Sequence, residues 1–154
     1  MATAHSTLTG ADLHEPKGVA SANADEIYIA NGAGSGTWTA ADNSIYLTLE
    51  LDDISTASST WLPSPCTGTI ASIQTILHGA ISASDATVTA EINGTLVTDS
   101  SITVAQSGSA AGDVDSSTPS AANTLAVGDK IEVITDGGST TAARLTIVLT
   151  VTPT

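Results

Sequence analysis

The clearest signal along the chain is an alternation of apolar and polar residues at period two. Ile45, Leu47, Leu49 and Leu51 alternate with Tyr46, Thr48 and Glu50, as a strand with one face in a core and the other in water requires. Val88, Ala90 and Ile92 alternate in the same way with Thr87, Thr89 and Glu91. Asn93-Gly94 then offers the positive φ of a tight turn, so a β-hairpin is predicted into Thr95 to Thr98. Ile102 and Val104, Ile131 and Val133, and Leu145, Ile147, Leu149 and Val151 repeat the pattern between clusters of Gly, Asp, Ser and Pro. Ile70, Ile73, Ile76 and Leu77 also match helical spacing, but Pro63 and Pro65 before them and Gly79 after them leave little room for a typical helix of about 11 residues. A strand is predicted there. Many short strands at regular spacing predict an all-β, antiparallel sandwich or barrel. Ser107 to Asn123 is read as a long loop of small residues that reaches over the surface or toward a neighbour.

Residues 1–44 differ. They are rich in Ala, Gly, Asn and Ser, hold one short apolar run at Ile27-Tyr28-Ile29, and sustain no strand-like alternation. They read as an extended N-terminal arm, with the β-domain at 45–154. A segment with so little apolar surface orders only against something larger, whether its own domain, a sister subunit or another protein. Asn31-Gly32-Ala33-Gly34-Ser35-Gly36 predicts a turn or adaptable loop, followed by Trp38 as an anchor. Trp38 pins the arm either to its own domain or to a partner, and the pattern leaves both open. Trp61, followed by Leu62-Pro63, is expected to pack at an edge of the sandwich.

Composition sharpens this picture. The 154 residues include 41% apolar but only 3% aromatic residues and no Phe. The core must therefore come from Ile, Leu, Val, Ala and Thr methyl groups, whose Cβ branching favours strands. Three Lys and Arg against 16 Asp and Glu give a formal charge of −13. Phosphate backbones and anionic bilayers repel such a surface, so neither nucleic acid nor a membrane is expected as a partner. A mean hydropathy of +0.21 argues against wholesale disorder. The single Cys66 excludes an internal disulfide or a multi-cysteine zinc site. The first 16 residues lack the basic and apolar regions of a secretion signal, and no apolar run approaches a bilayer span, so a soluble chain without a cleaved leader is expected.

Motifs of catalysis are weak. His14-Glu15-Pro16 lacks the second histidine of a helical zinc site. The other histidines, His5 and His78, read as an arm contact and a strand end. Gly32-Ala33-Gly34-Ser35-Gly36 sets its serine one place away from a nucleophile elbow and has neither the lysine nor the helix of a phosphate loop. Asp52-Asp53 and Asp113-Val114-Asp115 stand outside any twelve-residue calcium loop and read as solvated turn acids. Asn93-Gly94-Thr95 fits a glycosylation pattern, but the hairpin turn accounts for it. Hence no catalytic residue, metal or cofactor is assigned.

The N-terminal stretch carries one resemblance. Leu8, Gly10, Asp12, Leu13, His14, Glu15, Pro16, Lys17, Gly18 and Val19, followed by Tyr28, Gly34, Gly36 and Trp38, resemble the leading segment of bacteriophage head-fibre, capsid-decoration and tail-fibre proteins. From Trp61 onward the chain looks like the jelly-roll β-sandwich that such proteins carry. The resemblance implies a non-enzymatic homotrimer on the outer surface of the virion, fastened to the major capsid protein by its arm. The attachment and trimer-contact residues would then be Leu8, Leu13, His14, Pro16, Val19, Ile27, Tyr28 and Trp38. No fibrous repeat separates arm from sandwich, so a compact knob is expected rather than a long fibre. The alternative is a tail-associated adhesin whose sandwich loops, Ser107 to Asn123 among them, bind host surface glycans.

Overall fold

The computed structural model describes residues 22–24, 26–33 and 36–154, and among these every regular element is a strand. They form two compact units that divide between Asp42 and Asn43, two residues before the expected boundary. The first unit holds a hairpin of β1 (Glu26–Ala30) and β2 (Gly36–Ala40). The arm is thus not strandless. Apolar and aromatic side chains stand on both faces of this hairpin, so the sequence shows no inward-outward alternation even though a ladder forms.

The second unit is an antiparallel β-sandwich. One sheet runs β3 (Ile45–Leu51), β12 (Leu145–Pro153), β5 (Gly68–Leu77), with β9 (Val114–Ser117) and β10 (Thr124–Leu125) both beside β5. The other runs β4 (Ser58–Pro63), β11 (Lys130–Thr135), β6 (Ala86–Ile92), with β7 (Thr95–Leu96) and β8 (Ile102–Val104) both beside β6. All the pairings are antiparallel. The chain changes sheet after β3, β4 and β5, and again after β8, β10 and β11, so the inward side chains of both sheets build a single core. Leu49, Ile73, Ile147 and Leu149 meet Val88, Ala90, Ile131 and Val133 there, and all are buried.

β5 explains its ambiguous pattern. Thr150 faces Ser72 and Val151 faces Ile70, so Ala71 is an extra, exposed residue, a β-bulge that moves the alternation on by one. Ile70, Ile73, Thr75 and Leu77 therefore point inward while Ile76 faces out. The step of three between Ile70 and Ile73 comes from this bulge and mimics helical spacing.

The Ser107–Asn123 segment departs from the expectation of a plain loop. Val114–Ser117 adds to β5 along Ile76 to Ile73. Its Val114 side chain is 57% exposed, and β9 inserts no apolar residue into the core, so it is held by hydrogen bonds, those of the ladder together with Thr75 Oγ1 to the Asp115 carbonyl and Ser117 Oγ to the Ser100 carbonyl, and no alternation marks it. The predicted hairpin turn forms as read, with Asn93 at φ 52 and Gly94 at φ 83, although the strand beyond it keeps only Thr95 and Leu96.

Candidate functional site

Of the residues assigned to attachment, Leu8, Leu13, His14, Pro16 and Val19 lie outside the described residues. Ile27, Tyr28 and Trp38 lie on the hairpin. Tyr28 and Trp38 are directly opposite each other, with ring centroids 5.3 Å apart and planes at 60°. Such edge-to-face pairs contribute about 0.5–1.5 kcal/mol beyond their burial. Gly36 allows the ring to fold down: a Cβ there would stand 2.8 Å from Tyr28 Cζ and 2.3 Å from the Ile29 carbonyl oxygen. On the opposite face Ile27 and Ile29 are about half exposed, at 52% and 50%, beside Thr39 and Thr37. The entry to β1 is fastened by Glu26, whose carboxylate accepts from Asn23 N at 2.7 Å and Asn23 Nδ2 at 3.1 Å. Those bonds, the backbone one foremost, hold Glu26 below the usual carboxylate range. A two-stranded hairpin is at best marginally stable in water by itself, and this one offers isoleucines on one face and an aromatic pair on the other.

The second feature lies along one edge of the sandwich. β3 and β4 are the terminal strands of their respective sheets and lie side by side. Where the chain passes between them a cleft of about 480 Å³ opens, walled by Glu50, Asp52, Thr56, Ser58, Ser59 and Thr60. Asp53, also in its wall, is engaged by the turn: it accepts from Ser55 Oγ and Ser55 N, both at 2.7 Å, and these bonds lower its pKa. Glu50 is engaged by Arg144 at 3.7 Å and by the Thr146 hydroxyl at 3.4 Å. Asp52 has no such partner among the described residues.

Trp61 sits next to that wall. As expected it is at a sandwich edge, but on the outer face of β4, 55% exposed rather than packed. It stands opposite Glu132 of β11. The Glu132 carboxylate accepts from Lys130 Nζ at 3.0 Å, with Trp61 and Ser59 close enough to influence its charge. The Lys130 ammonium first, and the Trp61 indole next, hold Glu132 below the usual glutamate range. A carboxylate with a lowered folded-state pKa contributes stability that is complete above its unfolded pKa and is lost as pH falls through the folded one. In a Trp38→Phe background, Trp61 fluorescence should therefore stay constant from neutral pH down through about 4.3, the ordinary glutamate value, and change only below it. Lys130→Ala should move that midpoint upward; an unmoved midpoint would mean that Lys130 does not set it.

A smaller cleft of about 200 Å³ lies beside β9, walled in part by Ser107, Ser109, Asp113 and Asp115. Burial, with the Asp113 charge second, raises the Asp115 pKa. Much of this wall is engaged internally: Ser109 Oγ accepts from Ile81 N and donates to Ile81 O, and Asp113 accepts from Ala110 N. His78 ends β5 as expected, its ring bonded to Thr146 Oγ1 at 2.8 Å and approached by Arg144 at 3.3 Å. Cys66 is a free thiol packed against the core. Among the described residues no group of three or more His, Cys, Asp or Glu side chains is placed to hold a metal ion.

Compared with models of known protein families and with curated proteins, the sequence matches none.

Proposed function

We propose that this chain is a non-enzymatic virion structural protein, a decoration or head-fibre protein that sits as a homotrimer on the outside of a phage capsid and is fastened to the major capsid protein through residues 1–44. The observation that carries the reading is the division of the chain into a sandwich with a complete core and a short hairpin with apolar groups on both faces. A self-sufficient body plus a segment that gains from a partner is what attachment to a shell requires, and ordering such a segment on a surface buries much area from few residues. The nested strand order, β3-β12-β5 in one sheet and β4-β11-β6 in the other, supports reading the sandwich as a jelly roll. Strong acidity suits an outward-facing coat, since it keeps particles apart in solution. The adhesin reading gains no comparable support from Ser107 to Asn123, because that segment is tied to β5 and much of its polar lining is engaged internally.

The test uses capsid shells that lack the protein. Full-length protein should sediment with the shells, and a variant lacking residues 1–19 should stay in the supernatant while keeping its strand circular dichroism. Shell binding by that truncation would remove the attachment assignment. Light scattering should give about three times the 15.2 kDa chain mass, and a monomer at all concentrations would remove the trimer.

A further inference from the structure

The two outer faces of the sandwich differ in charge. On the β4-β11-β6 face Glu132 stands directly opposite Glu91, and Asp52, Asp53, Asp85, Asp99, Asp129 and Asp136 lie in connections between strands. On the other sheet, one row across the outer face sets Thr48, Val148, Gln74 and Ser116 side by side. The next row is Glu50, Thr146, Ile76 and Val114, and on the far side of the first Tyr46 lies beside Thr150. The one carboxylate in these rows, Glu50, is met by Arg144 at 3.7 Å, so the face carries no net charge. It is also apolar in part: Tyr46 is 64% exposed, and Ile76, at 37%, stands directly opposite Val114, at 57%.

What would cover such a face follows from the charge around it. At −13 the chain repels acidic molecules, and a basic partner is drawn to the acidic connections rather than to a neutral face. A patch without net charge suits a partner as acidic as the chain itself, and a second copy is such a partner. Contact through it takes Ile76, Val114 and Tyr46 out of water without bringing unpaired carboxylates together. Strand spacing and rise give β3, β12, β5 and β9 a plane of about 500 Å². The accessible surface of side chains standing off that plane is larger, and it approaches the roughly 800 Å² that each partner gives to a standard interface. We propose that the outer face of the β3-β12-β5-β9 sheet is the surface through which copies of this chain associate, turned toward the axis of the homotrimer. The inference rests on the homotrimer of the preceding reading and names the contact that holds it together.

The experiment uses the full-length chain and follows its mass by light scattering over a concentration series. The parent should be a trimer, at about three times 15.2 kDa. Gln74→Glu exchanges an exposed amide for a carboxylate of the same shape, brings like charges together at the axis, and should raise the dissociation constant about 30-fold at low salt. In about 1 M NaCl, where screening acts beyond about 3 Å, most of that loss should disappear, which damage to the fold would not do. Ile76→Glu combined with Val114→Glu also removes apolar contact and should raise the constant more than about 100-fold. Thr89→Glu, on the outer face of the other sheet, should leave the mass unchanged, and every variant should keep the strand circular dichroism. A parent that is monomeric at all concentrations removes the homotrimer and this contact with it. A trimeric parent whose Gln74 and Ile76 variants stay trimeric removes the contact alone, and so does an equal loss from Thr89→Glu. If those trimeric variants no longer sediment with capsid shells, the face belongs to the shell and not to a sister copy.

Discussion

Gly137→Ala should destabilise the sandwich by about 3 kcal/mol and lower its melting temperature by about 10 °C. Gly137 follows β11 at φ +71, and a Cβ built on it would stand 2.3 Å from Ala57 N and 2.7 Å from the Thr56 carbonyl carbon. Both obstacles are backbone, so no side chain can swing aside. The turn that would have to move is fastened on both sides: the Asp136 carboxylate accepts from Thr87 N at 2.9 Å and from Gly138 N at 2.8 Å, and Asp136 N donates to Thr87 O at 3.0 Å. Burial of Asp136 opposes its charge, but these bonds outweigh it and hold its pKa below the usual value. Gly94→Ala supplies the comparison. Gly94 also has positive φ, at +83, but open space surrounds its Cβ position. It should therefore cost only the conformational part, about 1 kcal/mol. Chemical denaturation of both variants measures the difference, and equal losses would mean that the packing of Gly137 against the β3–β4 connection adds nothing.

How much of this fold could be read in the sequence follows from which strands bury one face. β3, β6, β11 and β12 place alternate side chains in the core, so period-two alternation marks them. β9 has the same ladder but inserts no apolar side chain, and a strand held by hydrogen bonds alone leaves no hydrophobic signature. The β1–β2 hairpin fails for the opposite reason, since apolar groups on both faces hide the period. Its register was nevertheless within reach, because Tyr28 and Trp38 stand five residues to either side of Ala33 in the sequence. The cluster of Trp61, Glu132 and Lys130 was not. It depends on the pairing of β4 with β11, strands far apart in the chain, and nothing local to Trp61 indicates that a glutamate will stand opposite it. The sequence therefore placed Trp61 at an edge but not on display, and the cleft beside it, formed where two terminal strands from different sheets meet, had no motif to announce it.

The bulge in β5 leads to the other large effect, a contrast between two single-residue deletions. Removing Ala71 takes out the extra residue and leaves the inward set intact: Ser72 opposite Thr150 is then followed directly by Ile70 opposite Val151, the sequence of pairs that β12 already presents. The cost is the local change of twist, about 1–2 kcal/mol. Removing Gln74, three positions on and also exposed, has no such outlet. The bulge can absorb the lost residue, but Ile73, now 1% exposed, then turns to water while the Ser72 hydroxyl turns into the core. An exposed isoleucine and the void it leaves cost about 2–5 kcal/mol, and a buried hydroxyl without a partner about 1–3 more. The sum is comparable with the entire stability of a small domain. Urea unfolding of the Ala71 deletion should retain one cooperative transition, whereas the Gln74 deletion should give none. Similar damage from both would show that the shift in β5 is not carried by Ala71, and the account of why Ile70 and Ile73 stand three residues apart would fall with it.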